Sequence, residues 1–222
     1  MVERILYVCA SPRGERSVSA QITDAFLAAL AERKAVEIDH LNPWECDLPE
    51  VDGALLAAKY AGLGDAPLST AQAAAWDRIN TLAQRFHRAD TLVFCVPLWN
   101  FGIPYKLKHL IDAISHKDVL FTFDEHGLNG MLGGRRAVAI YTRGLGYGPT
   151  SQTPDQFFGL EKTFIDTWFR FVGINQAHSV VVEQTLGPEG ARIRERAIEQ
   201  VTLLAQNIDQ KAAQTLIVGR DG

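Results

Sequence analysis

Short strand-like runs alternate with amphipathic stretches along most of this 222-residue chain, and this alternation restricts the possible folds more than any other feature. The strand-like runs occupy residues 4–9, 36–41, 91–96, 137–141 and 179–182. The stretches with apolar residues at helical spacing occupy residues 17–33, 71–87, 104–115, 155–172 and 188–210. Strands that alternate with helices form a parallel sheet with helices on both faces. The sequence therefore predicts an α/β fold, a doubly wound five-stranded parallel sheet with the strand order 2-1-3-4-5.

Three loops follow the first, third and fourth of these runs, and each loop has its own chemistry. Residues 10–19 read Ala-Ser-Pro-Arg-Gly-Glu-Arg-Ser-Val-Ser, residues 97–102 read Pro-Leu-Trp-Asn-Phe-Gly, and residues 142–148 read Thr-Arg-Gly-Leu-Gly-Tyr-Gly. Open parallel sheets bind their ligands beyond the carboxyl ends of the strands, where the strand order reverses. We therefore expect the three loops to form one composite site.

The first loop suits a phosphate group. Ser11, Ser17 and Ser19 surround the predicted start of the first helix, where free N–H groups and serine hydroxyls can bind an anion. The loop lacks the Gly-x-x-x-x-Gly-Lys-Ser/Thr pattern of nucleoside triphosphate sites and the Gly-x-Gly-x-x-Gly pattern of dinucleotide sites. The structural alternative is that Ser17 only caps the helix.

The second and third loops suit a planar ring. Trp99 is either a residue that packs against such a ring or a core residue, and the N–H groups of its turn can face the pyrimidine edge and N5 of a flavin. Glycines at positions 144 and 146 allow close approach of the backbone. Tyr147 either polarises a substrate carbonyl or is a surface aromatic. The three loops together suit flavin mononucleotide (FMN).

Composition and charge exclude several classes of function. The chain is 47% apolar and 22% charged, as expected for one globular domain, which we place at residues 1–213 with residues 214–222 unassigned. A net charge of -4 and a pI near 5.9 argue against nucleic acid as a partner. No apolar run approaches the ~20 residues of a membrane span, and no signal sequence is recognisable, so we expect a cytoplasmic protein.

The histidines and cysteines predict neither a metal site nor a redox centre. The six histidines lack the spacing of metal-binding motifs, so no metal is expected. Cys9 and Cys95 lie within strand-like runs, and Cys46 has no neighbour at a paired spacing. We interpret Cys9 and Cys95 as buried, inert thiols rather than redox groups.

Several motifs together resemble one known family. They are Ser-Pro-Arg and Ser-Val-Ser at residues 11–13 and 17–19, the stretch at 97–108, Thr-Arg-Gly at 142–144, and shorter matches at 65–68, 121–127, 148–150 and 171–174. Over residues 3–210 the chain resembles the bacterial FMN-dependent NADH:azoreductases. These have the flavodoxin-like fold and are related to the NAD(P)H:quinone reductases. The chain departs from many of them in having Trp99, where Tyr or Phe is common, and Gly-Leu-Gly-Tyr at 144–147, where a Gly-Gly pair is common.

The resemblance implies a set of site residues. It implies FMN contacts from Ser11, Ser17, Val18, Ser19, Leu98, Trp99, Asn100, Phe101, Thr142, Arg143, Gly144 and Leu145. The backbone of Asn100 and Phe101 would lie near flavin N5, and no side chain would act as a catalytic acid. Phe123 and Trp168 would line the pocket of the electron acceptor, to which Tyr147 is added from its position in the third loop.

The resemblance also implies a homodimer with the active site between subunits, and a ping-pong reaction. NADH or NADPH would deliver hydride to the flavin and leave, and a quinone or azo compound would then be reduced. The alternatives are a flavodoxin-like electron carrier, an NAD(P)H:FMN reductase, and a regulatory module without a cofactor. The long connections at 42–70 and 116–135, the second with the pattern of a hairpin, favour the enzyme because they can form pocket walls and a dimer face.

Overall fold

The structure, a computed structural model, describes residues 2–53, 55–57, 68–125, 127–210 and 212–219. Residues 65–67, which form part of one of the motifs above, lie outside the described residues. Within the described ranges, no helix has both the length and the apolar character needed to cross a membrane.

The described residues form a regular alternation of strands and helices. In chain order these elements are β1 (Glu3–Cys9), α1 (Val18–Arg33), β2 (Val36–Leu41), α2 (Thr70–Arg88), β3 (Thr91–Pro97), α3 (Tyr105–Ile114), β4 (Phe121–Asp124), β5 (Gly127–Gly130), β6 (Arg136–Thr142), α4 (Asp155–Phe158), α5 (Leu160–Phe171), β7 (Gln176–Val182), α6 (Gly190–Asn207) and β8 (Thr215–Val218). The five predicted strands are all present, as β1, β2, β3, β6 and β7. The predicted hairpin is confirmed as the antiparallel pair β4–β5.

The main sheet is parallel and has the order β2-β1-β3-β6-β7-β8. The prediction of five strands was therefore wrong in number, because a sixth strand, β8, adds to the edge beside β7. β8 comes from the segment left unassigned, and Ser179 of β7 lies opposite Thr215. Four residues with one side exposed (Ile217 is 43% exposed) give too short an apolar pattern to be recognised as a strand.

Two hydrophobic layers cover the two faces of this sheet. On one face, buried residues of β3 and β6 such as Val93 and Ile140 pack with α1 and α6. On the other face, residues such as Phe94 and Tyr141 pack with α2, α3 and α5. β3 is buried along almost its entire length, as expected for a central parallel strand. Packing on both faces holds β1, β3 and β6 side by side, so that their carboxyl ends lie at the same edge of the sheet.

The β4–β5 hairpin is held tightly against the end of α5. A Cβ added at Gly130 would overlap the backbone of Gly173 and Val172, and Leu132 N–H donates to Val172 O at 2.7 Å. These contacts hold one side of the hairpin against the end of α5. It leaves the Phe123 side chain 63% exposed on the other side.

Candidate functional site

The sheet brings the three predicted loops to one edge. Cys9 of β1 lies opposite Cys95 of β3, and Pro97 at the end of β3 lies opposite Thr142 at the end of β6. The second and third loops are also joined directly, because Leu98 N–H donates to Thr142 O at 2.9 Å. The loops that follow β1, β3 and β6 are therefore neighbours, as the order of the strands predicts.

The first loop ends in a pair of buried serines at the start of α1. Ser17 is the N-cap of α1, and its Oγ accepts a hydrogen bond from Ala20 N–H at 3.2 Å. The Oγ atoms of Ser17 and Ser19 lie 3.0 Å apart, and Val18 between them is partly buried. Ser11 is also buried, and its Oγ accepts from Arg13 N–H at 3.4 Å. Ser17 thus caps α1, as the structural alternative proposed. The N-terminus of α1, with its partial positive charge, lies in the same loop.

The second loop is a tight turn with a strained backbone. Trp99 N–H donates to Gly102 O and Gly102 N–H donates to Trp99 O, both at 2.9 Å. Between them, Asn100 and Phe101 have φ values of 46° and 67°. Two successive positive φ values are typical of a type I′ turn, in which Asn is favoured but a bulky residue such as Phe is unfavourable.

This turn presents two backbone donors. Among the described residues, the N–H groups of Asn100 and Phe101 have no hydrogen-bond partner. The Phe101 side chain is 45% exposed, and its ring lies 5.1 Å from that of Phe158. A strained turn that holds two free donors at the end of a central strand is a typical feature of a ligand site.

Trp44 connects the first and second loops, and the sequence analysis did not identify it. Its Nε1 donates to Ala10 O at 2.9 Å, and its ring lies 5.6 Å from that of Trp99 and 5.1 Å from that of Tyr105. Trp99 therefore packs against a protein ring on one side. The signal that could have found Trp44 is its position in the long connection at 42–70.

The third loop is held from below by the side chain of Arg143. Its Nε lies 2.6 Å from Glu161 Oε1, and its Nη1 lies 2.6 Å from Asp155 Oδ1 and 3.1 Å from Glu183 Oε1. The guanidinium also lies 4.6 Å from the centre of the Tyr147 ring. The Arg143 side chain is only 1% exposed, and the backbone N–H of the same residue donates to Val182 O. We therefore assign this side chain to the support of the loop.

Burial dominates the electrostatics of this cluster. It raises the pKa of Glu161 above the ordinary value, although the charge of Arg143 acts in the opposite direction. Within the described part of the chain, Glu161 Oε2 has no hydrogen-bond partner. Burial also raises the pKa of Tyr147, whose backbone N–H donates to Glu183 Oε2 at 2.8 Å. The cluster thus joins the third loop to both β7 and α5.

The glycines of the third loop lie against the segment that follows β7. A Cβ at Gly144 would come within 2.6 Å of Leu186 Cδ1, and one at Gly146 within 2.9 Å of Gln184 Nε2. Leu145 between them is 57% exposed. These glycines are therefore needed, in part, because the third loop lies close to the side chains of Leu186 and Gln184.

Two of the three residues predicted to line an acceptor pocket are buried instead. Trp168 is 5% exposed, its ring packs between Phe86 and Phe94, and its Nε1 donates to Ser115 Oγ at 2.9 Å. Tyr147 is 3% exposed and covers Arg143. The family resemblance implied Trp168 as a pocket residue, but Trp168 lies on the buried face of α5, and that face packs on the sheet. Phe123 alone of the three is open to solvent.

A cavity of about 730 Å³ adjoins the turn of the second loop. It is lined by Glu50, Val51, Gly102, Ile103, Tyr105, Lys106, Lys108, His109, Asp112, Leu160 and Phe164. Exposed apolar side chains surround it, since Tyr105 is 63% and Leu160 is 55% exposed. The site edge of the sheet therefore continues into a groove whose lining combines apolar and charged side chains.

Known proteins are similar to this chain in both sequence and fold. A family model described as "Flavodoxin-like fold" matches residues 3–204. An FMN-dependent NADH:quinone oxidoreductase of Burkholderia lata is 50% identical over 206 residues, which cover 91% of this chain and 98% of that protein. The chain belongs to this flavodoxin-like family. A second member with the same description, from Pseudomonas fluorescens, is 44% identical over 209 residues, or 92% of this chain and 97% of its own length.

Solved structures agree with this assignment. An FMN-dependent NADH-azoreductase of Bacillus anthracis in complex with FMN superposes with a TM-score of 0.84 at 25% identity, over 93% of this chain and 99% of that chain. Another azoreductase structure from the same species has a TM-score of 0.84 at 23% identity, over 93% of this chain and all of that chain, and it supports the fold.

The residues at the site edge fit FMN in chemistry. The serine hydroxyls and the N-terminus of α1 suit its phosphate, because they supply donors and partial positive charge without a cationic side chain. The free N–H groups of Asn100 and Phe101 suit the acceptor atoms at the edge of a flavin ring.

Proposed function

We propose that this protein is an FMN-dependent NADH:quinone oxidoreductase that also reduces azo compounds. When bound, FMN would take two electrons from NADH or NADPH and pass them to the acceptor in a ping-pong cycle. The observation that carries the proposal is the strained turn Trp99–Gly102, which holds two backbone donors where a flavin ring would lie in a protein of this family.

Each loop has a separate task in this proposal. Ser11, Ser17 and Ser19, with Val18 N–H, would bind the phosphate at the start of α1. Leu98, Trp99, Asn100 and Phe101 would hold the ring and orient its polar edge. Thr142, Gly144 and Leu145 would contact the remaining part of the cofactor through the third loop, which Arg143 supports from inside the protein.

A homodimer and an acceptor pocket formed at its interface belong to the same proposal. Phe101 in the turn, and Tyr105 and Leu160 in the lining of the groove beside it, are each at least 45% exposed. Burial of such residues against a second subunit would remove them from water and close the space above the ring. Phe123 would form one apolar wall of that space. We also propose that the protein acts in the cytoplasm.

Steady-state kinetics of the FMN-loaded protein test the proposed function. We expect NADH oxidation that depends on a quinone or an azo dye, with parallel lines in double-reciprocal plots against the two substrates. Comparison of kcat/KM for NADH and NADPH identifies the preferred donor, and light scattering gives the oligomeric state. Bound flavin without turnover would support an electron carrier, and rapid reduction of free FMN alone would support an FMN reductase. Protein that fails to bind added FMN would contradict the proposal as a whole.

A further inference from the structure

Cys9 and Cys95 are direct neighbours across two strands. They lie opposite one another in the parallel pairing of β1 and β3, and their Sγ atoms are 3.8 Å apart. Both side chains point to the face of the sheet that α1 covers, and both cysteines are free thiols. Paired residues on adjacent strands have Cα atoms about 4.8 Å apart, which lies within the range of roughly 4.4–6.8 Å for disulfides.

The two thiols have different environments. Cys9 is partly exposed at the end of β1, whereas Cys95 is fully buried. The hydrogen bond with Cys95 lowers the pKa of the Cys9 thiol to about 6, and burial raises the pKa of the Cys95 thiol. Ser19 Oγ lies 3.2 Å from Cys95 Sγ, so the pair is at the first turn of α1. Cys9 is therefore the nucleophile of the pair, and Cys95 is the thiol held beside it.

We propose that Cys9 and Cys95 form a dithiol that hydrogen peroxide oxidises to an intramolecular disulfide. The Cys9 thiolate attacks one oxygen of peroxide, which gives a sulfenic acid at Cys9 and releases hydroxide. Cys95 Sγ then attacks Cys9 Sγ, its proton leaves with the sulfenic hydroxyl as water, and the disulfide forms. Overall, the dithiol loses two electrons and two protons, and peroxide is reduced to two molecules of water.

This inference is independent of the proposed function, because it needs only the two thiols and an external oxidant. It also replaces the interpretation of both cysteines as inert, which rested on their positions in strand-like runs. A buried partner at 3.8 Å distinguishes this pair from Cys46, whose pKa burial raises.

Peroxide treatment of the full chain, as purified, tests the proposal. In the Cys46→Ser background, one equivalent of hydrogen peroxide should remove both remaining thiols, and peptide mapping should find Cys9 linked to Cys95. Dithiothreitol should restore both thiols. In wild-type protein, oxidation of Cys9 should be at least about tenfold faster than that of Cys46, because the thiolate is the reactive form. Retention of both thiols under these conditions would overturn the proposal.

Two further variants separate the roles of the cysteines. In Cys46→Ser/Cys95→Ser, the sulfenic acid at Cys9 has no partner thiol, so it should accumulate and be trapped by dimedone. In Cys46→Ser/Cys9→Ser, Cys95 should stay reduced. Equal dimedone labelling with and without Cys95 would show that the buried thiol does not close the disulfide. If either variant fails to fold by circular dichroism, the peptide map of the Cys46→Ser protein decides the question.

Discussion

The Nε atom of Arg143 lies 2.6 Å from Oε1 of Glu161, and neither side chain is more than 1% exposed. The same guanidinium bonds to Asp155 and Glu183, so three carboxylates from different parts of the chain meet one buried cation. Because Arg143 belongs to the third loop, these contacts attach that loop to the segments that carry the three carboxylates.

Removal of this cation should strongly destabilise the fold. Arg143→Met would leave buried carboxylates without their counter-ion, and we expect a loss of about 3–5 kcal/mol in the free energy of unfolding. Arg78→Met is the matched control, because the Arg78–Asp47 pair is mostly exposed and should contribute less than about 1 kcal/mol. Urea titration followed by circular dichroism measures both. Similar losses of unfolding free energy in the two variants would show that the buried cluster stabilises the fold no more than an exposed ion pair does.

Glu161 should make stability depend on pH. Its pKa is raised by burial above the ordinary value of 4.5, so the folded protein binds this proton more tightly than the unfolded chain. The resulting stability is fully present below pH 4.5 and is lost as the pH rises through the folded-state pKa. Glu161→Gln cannot titrate, so its stability relative to wild type should increase with pH across this window. Urea titrations at a series of pH values measure this, and parallel curves would contradict it.

Gly130 should be essential for the position of the hairpin. Gly130→Ala places a methyl group into the backbone of Gly173, and we expect a loss of about 1–3 kcal/mol or more in stability. At Gly133 an added Cβ would lie 3.9 Å from Gly173 O, an ordinary contact, so Gly133→Ala is the control and should be nearly neutral. Thermal unfolding compares the two. A neutral Gly130→Ala would mean that the hairpin can move away from α5 at no cost.

Part of this molecule could be predicted from sequence because its signals are local. The buried strands β1, β3 and β6 are continuous apolar runs, and the loops that follow them contain the glycines and serines of the site. The contacts of Trp44 with Ala10 and Trp99 could not be predicted, since they join residues far apart in the chain.

The support of the third loop was missed for the same physical reason. Arg143 meets carboxylates that lie 12, 18 and 40 positions away, and no spacing rule connects such residues. The family resemblance implied that Trp168 lines a pocket, but it could not show that α5 packs this residue against the sheet. In a single sequence, apolar residues that line a pocket cannot be distinguished from apolar residues of the core.

The turn at Asn100 should control flavin affinity. Asn tolerates the φ of 46° at this position, whereas Ala has an added cost of about 1 kcal/mol, so Asn100→Ala should weaken FMN binding about fivefold. Asn100→Gly keeps the positive φ and is the matched control, with an expected change below about twofold. Quenching of FMN fluorescence measures both affinities. Equal weakening in the two variants would point to the Asn side chain rather than the backbone.

Ser17→Asp should weaken binding of the FMN phosphate without changing binding of the flavin ring. Asp is a good N-cap, so the Ala20 N–H keeps an acceptor and α1 should still begin at the same residue. The added negative charge would repel the phosphate, and we expect FMN affinity to fall by about tenfold or more. Riboflavin, which has the same ring and no phosphate, should bind wild type and variant within about twofold of each other. Calorimetry with both ligands makes the comparison, and circular dichroism confirms folding. An equal loss for the two ligands would place Ser17 away from the phosphate.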